Sequence, residues 1–425
     1  MIKRLMPQGT FARNVITLMT GTSIAQAIPI AISPILTRLY TPEEFGVFAL
    51  YMAVASIVAV LVTGRYELAI MLPKKDSDAI NIVVLSMGLS CIISSLLLAI
   101  VVVFNSQITH LLGAPDISSW LYFVPASTLL MGIYQSLNYW SNRKGHYKRM
   151  ALSRMMQSSS GSMAQLGGGY GAMSASGLVG GQIIGQGFST ALLVQLIYRE
   201  DQSELKKISR NRIFALAKKY SSFPKYLMLG QLANAASGQM PLLLLSLFFG
   251  PATAGFYSLS QRTLSAPMAL VGGAIGDVFR REAATIYNEI GNCKDIYLKT
   301  IVRLMIFAIL PIVPVLLFGP WLFAFVFGEQ WRTSGEIASM ISVMVFFQTM
   351  SSPLSQTVLL AGMQVIDLGW QILRFLFSVG SFYFGYVLFD DYMMAIACHV
   401  ASFSILYIFH SLLQYQAALG VGNKI

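Results

Sequence analysis

Arg38, Arg65, Arg262 and Arg374 stand inside or at the edges of long apolar runs, and Glu67, Asp277 and Asp367 share such surroundings. A charge placed among apolar residues of a membrane span is costly and normally faces a cavity or a partner. Guanidinium stays charged at any cellular pH and grips phosphate oxygens through two parallel N–H donors. A cavity lined by these four arginines would suit a phosphate-bearing anion. The three carboxylates are the candidates for carrying a coupling ion. Arg262 is about ten residues into its run, hence about 15 Å deep at ~1.5 Å per residue, near a midplane.

Each of these residues also has a plainer role. Arg65 and Glu67 fall near the end of their run, where long side chains reach back to the interface. Asp367 precedes Arg374 by one heptad on nearly the same helix face, which suits an internal ion pair. Arg38 suits an anchor at the end of the first run or a partner for Glu43 and Glu44, and Asp277 a cap on the eighth run. His399 reads as a hydrogen-bonded packing residue. Gln26, Asn138, Tyr139, Gln165 and Gln348 are the polar residues within apolar runs that are candidates for setting ligand specificity.

The elements that must position these groups follow from composition. Hydrophobic residues make up 55% of the 425 and charged residues only 11%, against roughly 25% charged in a soluble domain. Crossing about 30 Å of hydrocarbon takes roughly 20 apolar residues. Such runs lie near 13–36, 44–64, 79–104, 118–140, 149–170, 174–198, 224–248, 253–276, 298–320, 336–361, 367–388 and 393–416. The strict alternation of membrane β-strands is absent. The expected fold is an all-α integral membrane protein of about twelve transmembrane helices.

Those runs divide into two sets. Gly21, Pro42, Gly46, Leu50, Val62 and Gly64 recur as Gly230, Pro251, Gly255, Leu259, Val271 and Gly273, always 209 positions later and without a gap. A repeat at half the chain length fixes the architecture. Two six-helix lobes are expected, 1–200 and 223–425, joined by a polar linker over 201–222. Six is even, so the repeats are parallel and related by an axis along the membrane normal, as in transporters whose lobes rock about a central site.

Lys and Arg set the orientation. With the N-terminus cytoplasmic, nearly all of the 29 basic residues fall on the inner side, Arg38 and Arg332 being outside and Arg65 and Arg262 within spans. Both termini are then cytoplasmic. The net charge of +11 reports this topology and contact with anionic lipid, not nucleic-acid binding. Lys3-Arg4 with Ala25-Gln26-Ala27 imitates a cleavable leader, but cleavage would delete the repeat mate of the helix at Gly230, so an uncleaved first span is expected. Cys91, Cys293 and Cys398 have neither disulfide nor metal spacing. Gly167 to Gly171 reads as a turn, and no Gly-Lys-Ser/Thr follows it to make a nucleotide loop. Gly177, Gly181 and Gly185 instead suit close helix approach in lipid. The longest outer loop is expected from Asn105 to Ile117.

Three strings carry a family resemblance. TRLYTPEEFG from Thr37 to Gly46, RYELAIMLP from Arg65 to Pro73 and AGFYSLSQR from Ala254 to Arg262 resemble the hallmarks of Wzx-type polysaccharide and O-antigen flippases of the MOP superfamily. The resemblance is close in the first three spans and in spans seven and eight, and elsewhere rests on hydropathy. It implies a multi-pass protein of the bacterial inner membrane, not an enzyme and without a cofactor. It implies movement of an undecaprenyl-pyrophosphate-linked oligosaccharide from the cytoplasmic to the outer leaflet by alternating access, among membrane lipids, with a polysaccharide polymerase and a chain-length regulator as further partners. Energy would come from a proton or sodium ion, or from downhill flipping as polymerisation removes product. Two alternatives fit less well. A MATE-like drug or cation antiporter should carry a cavity carboxylate rather than arginines, and a membrane glycosyl polymerase should carry paired acids, for which Asp390-Asp391 reads only as a solvated turn.

Overall fold

The computed structural model describes residues 10–420, in which every regular element is helical. Twelve helices are of spanning length: α1 Thr10–Leu39, α2 Pro42–Val62, α3 Asp76–Leu112, α4 Val124–Arg143, α5 Tyr147–Tyr170, α6 Ala175–Glu200, α7 Met228–Phe249, α8 Pro251–Ile290, α9 Lys294–Phe327, α10 Arg332–Ser351, α11 Gln364–Phe389 and α12 Tyr392–Ala418. Each coincides with one of the apolar runs read from the sequence. Among the described residues nine spans are long and apolar enough to cross a membrane, and a tenth is the pair Pro115–Leu121 and Val124–Arg143, bent by 50°. The other two, α5 and α8, fall short because they carry polar groups such as Arg149, Arg154, Arg262 and Asp277. Large side chains including Val103, Leu310, Phe325 and Leu388 lie exposed on helix faces, as lipid contact allows and water does not. The chain is a multi-pass membrane protein.

Contacts group the chain into Met1–Ala235 and Ala236–Ile425, the division falling inside α7. In the first unit α5 packs on α6, and α4 packs on α2, α3 and α6. In the second, α11 packs on α12, and α10 packs on α8, α9 and α12. Adding six to each number in the first pattern yields the second, so the repeat seen in sequence is also a repeat of packing.

Local chemistry explains the shared entry to α2 and α8. Pro42 and Pro251 open their helices, where the missing N–H costs nothing. Thr41 caps α2 in a reciprocal box with Glu44, its Oγ1 accepting from Glu44 N while Thr41 N donates to the Glu44 carboxylate at 2.9 Å. Gly46 and Gly255 are both buried.

Three sequence expectations change. The glycines from Gly167 to Gly169 are the last turn of α5 and not a loop, because that turn packs tightly: a Cβ on Gly168 would lie 2.5 Å from the Cα of Gly177. The third span does not stop at Phe104. Its backbone is non-helical there (φ −112°), and the helix then continues to Leu112, shortening the expected loop. Asp277 is no cap, since α8 runs on to Ile290. The polar segment after α6 carries the helix Arg210–Lys219, which packs within the first unit, Tyr66 Oη donating to Ala217 O at 2.9 Å and Asn81 Oδ1 accepting from Ser209 N at 2.8 Å.

The α5–α6 seam is the tightest part of the first unit. A Cβ added at Gly181 would lie 2.8 Å from Gln165 N, and one at Gly185 would lie 2.6 Å from Gln157 O. Backbone cannot yield as a side chain can, so Gly185→Leu is expected to remove most monodisperse protein from detergent extracts. Gly180, one register away, meets nothing, and Gly180→Leu should extract like the wild type. Equal recovery of both variants would show that the seam tolerates separation.

Candidate functional site

The two repeats differ in backbone course where α2 ends and α8 continues, and polar chemistry gathers there. In the first unit, α2 stops at Val62 because Gly64 (φ 56°) and Arg65 (φ 60°) both turn left-handed. A non-glycine residue there is uncommon and marks stored strain. The turn leads into the short helix Tyr66–Ala69 and buries Glu67, which is 1% exposed. Arg65 Nη1 lies 3.2 Å from Glu67 Oε1. The contact is poorly aligned, so both carboxylate oxygens and Arg65 Nε lack a hydrogen bond, as does the buried Asn138 Oδ1 nearby in sequence to Tyr139. Tyr139 of α4 feels the charges of both Glu67 and Arg65. Arg65 and Glu67 therefore form a buried pair, and surface snorkelling is excluded for Glu67.

In the second unit the helix does not break. Ala274 and Gly276 stand 209 positions after Arg65 and Glu67, and α8 passes straight through. Without the plug a pocket of about 330 Å³ opens between α8, the end of α10 and the turns after it. Its floor is glycine: a Cβ on Gly272 would lie 3.3 Å, and on Gly276 3.2 Å, from Pro353. Asp277 and Arg280 border it, Arg280 Nη2 standing 3.8 Å from Asp277 Oδ1, too far for a hydrogen bond. Ser265, Gln348, Thr349, Ser352, Ser355 and Gln356 supply hydroxyls and amides. Gln348 is the repeat mate of Tyr139, so α4 and α10 each turn one polar residue to the same place.

Arg262 belongs to the same stripe of α8. From it the spacing 262, 265, 269, 272, 276, 280 follows one helix face. Arg262 and Arg280 thus stand at the two ends of a smooth small-residue track about 27 Å long at ~1.5 Å per residue. Arg262 is exposed and has no carboxylate partner among the described residues. Arg280 was invisible in the sequence as a site residue because it looked like one more basic residue past a span. The spacing of small residues back to Arg262 was the available signal.

The other expected site residues are placed elsewhere. Arg38 is exposed at the end of α1 and pairs with neither Glu43 nor Glu44, the latter being held by Thr41. It and Arg65 lie at opposite ends of α2, about 30 Å apart along the helix, so they do not share a site. Arg374 and Asp367 do not form the expected ion pair, since two turns separate them along α11. Arg374 Nη1 instead reaches Gln371 Oε1 at 3.4 Å, and its buried Nε is unpartnered. Gln165 is structural: its side-chain amide donates to Leu178 O, and its backbone carbonyl accepts from Tyr40 Oη at 2.7 Å. His399 packs between Phe382 and Phe403 with Ser381 Oγ 3.1 Å from Nδ1.

The described residues fold as two six-helix repeats with polar groups inside apolar helices. Solved structures share this fold: an inward-facing multidrug resistance MATE transporter of the MOP superfamily aligns with TM-score 0.71 at 15% identity over 93% of each chain. The lipid II flippase MurJ, inward closed, aligns with TM-score 0.69 at 10% identity over 94% of this chain and 86% of the other. Residues 35–336 match the family described as polysaccharide biosynthesis protein, and the chain belongs to that family. The succinoglycan biosynthesis transport protein ExoT of Rhizobium meliloti (strain 1021) is 23% identical over 374 residues, 83% of this chain and 69% of the relative.

Proposed function

We propose that this protein is a flippase that moves a polyprenyl-pyrophosphate-linked oligosaccharide from the cytoplasmic to the outer leaflet of a bacterial inner membrane. The α8 track carries the reading. With both termini cytoplasmic, the Arg280 end faces the inner surface, and Arg262, about 17 Å in from Pro251, lies near the midplane. A pyrophosphate would load at Arg280 and pass to Arg262 along this small-residue stripe once Pro353 moves off Gly272 and Gly276. The hydroxyls and amides around the pocket suit sugar, and the polyprenyl tail stays in lipid. A lipid II flippase and a succinoglycan transport protein among the similar proteins support the same substrate class. The polymerase and chain-length regulator that use the product would be partners in the same membrane.

One observation favours a cation antiporter, namely the buried Glu67 together with the fold shared with MATE transporters. Arg65 at 3.2 Å opposes it by occupying that carboxylate. Reconstitution separates the two. Proteoliposomes should expose a fluorescent polyprenyl-pyrophosphate saccharide to an impermeant quencher at the opposite leaflet and should not move ethidium. Ethidium transport without saccharide translocation would establish the antiporter instead.

A further inference from the structure

None of the three carboxylates expected to carry a coupling ion is free of a cation: Glu67 lies against Arg65, Asp277 beside Arg280 and Asp367 in the field of Arg374. A different ionisable group stands behind the pocket, against Ser351, the residue before the lining Ser352. His410 of α12 is 3% exposed, and its ring stacks on Trp370 of α11 at 4.0 Å and 7° from parallel. Its Nδ1 lies 2.9 Å from Ser351 Oγ and 3.0 Å from Gln414 Nε2. One further contact orients the Gln414 amide: Nε2 donates to Ser351 O at 3.1 Å, while Tyr297 Oη, which donates to Ser411 O at 2.9 Å, lies 3.4 Å from Oε1. An amide nitrogen only donates, so Nδ1 accepts and the imidazole is neutral in this arrangement.

Position gives that neutrality a consequence. Ser351 ends α10, and the next residues, Ser352 to Leu354, form the turn whose Pro353 closes over Gly272 and Gly276. A proton taken from water onto Nδ1 leaves an imidazolium with two N–H donors. Two donors then face each other at 3.0 Å, so Gln414 Nε2 is pushed off Nδ1, which loads its other bond, to the Ser351 carbonyl before the pocket wall. Deprotonation returns the proton to water and restores the bond to Nδ1.

We propose that His410 is a proton-binding site of the transport cycle, neutral when the Ser351–Pro353 wall is latched and protonated when it is released. The inference rests on the flippase reading of the adjoining pocket. Charged and titratable groups surround the ring on each side. Arg374 on α11 acts electrostatically on His410, Tyr407 and Asp367. Tyr407 on α12 packs on Trp370, Tyr297 of α9 reaches the ring through Gln414, and α10 contributes only Ser351. Arg374 opposes a positive ring, whereas the Trp370 face favours one. Two arrangements with different proton affinity are what coupling requires.

Trp370 reports the site directly, because imidazolium quenches a stacked indole more strongly than neutral imidazole. Fluorescence of the full chain in detergent should fall as the pH is lowered from about 6.5 toward 4, by a component that is absent from Trp370→Phe and from His410→Gln. In proteoliposomes a pH gradient should stimulate saccharide translocation several-fold in the wild type and not in His410→Gln. An identical pH response in wild type and Trp370→Phe overturns the proposal, even should His410→Gln fail to fold. So does equal stimulation of wild type and His410→Gln. Absence of translocation by the wild type would overturn the flippase reading alone, leaving the fluorescence titration to decide the proton site.

Discussion

Arg262→Ala is expected to abolish surface polysaccharide while the protein reaches the membrane at the wild-type level. Arg262 has no carboxylate partner among the described residues and keeps an accessible surface, so truncation strands no buried charge. Folding should be spared. What is lost is a bidentate grip on phosphate, about 3 kcal/mol or roughly a hundredfold in headgroup affinity. Lipid-linked repeat units should accumulate on the cytoplasmic leaflet. Arg262→Lys should keep part of the activity, because charge survives and the planar fork does not. Arg280→Ala should slow loading at low substrate concentration while leaving the rate at saturation closer to normal, since Arg280 stands at the entry end of the track. Wild-type polymer from Arg262→Ala at matched expression would remove the phosphate station from the mechanism and leave the family assignment intact.

Asp201→Ala should produce the largest loss of folded protein. Asp201 and Arg149 are each 5% exposed. Asp201 Oδ2 accepts from Trp140 Nε1 at 2.9 Å and from Arg149 Nη1 at 3.0 Å, and Arg149 also pairs with Glu200. Three helices, α4, α5 and α6, are tied at one point where the chain leaves α6. Removing the aspartate leaves Arg149 buried with one carboxylate on its exposed side, at a cost of about 3–5 kcal/mol. Domains have only roughly 5–15 kcal/mol to lose, so little Asp201→Ala protein should survive extraction. Arg149→Met combined with Asp201→Leu should recover part of the yield, because an apolar pair leaves no stranded charge. Normal yield and melting of Asp201→Ala would show that the tie carries no stability.

The sequence by itself determined the helices, their number and their pairing into repeats. In a membrane the backbone must satisfy its own hydrogen bonds, so an apolar run of twenty residues has one solution, and identities at a constant spacing survive any detail of packing. The glycine spacing from Gly177 to Gly185 likewise announced a close seam, because residues four apart share a helix face. Only the tertiary structure decided which polar residues meet. Glu67 and Asp277 looked alike on paper. One is buried because Gly64 and Arg65 break α2, and the other borders a pocket because Gly273 and Ala274 let α8 continue. Trp140, Arg149 and Asp201, like Ser351, His410 and Gln414, are brought together across 52 to 63 residues of chain. Nothing in local periodicity links residues so far apart: their side chains meet because helices cross at particular heights, and crossing height is set by the packing of whole faces.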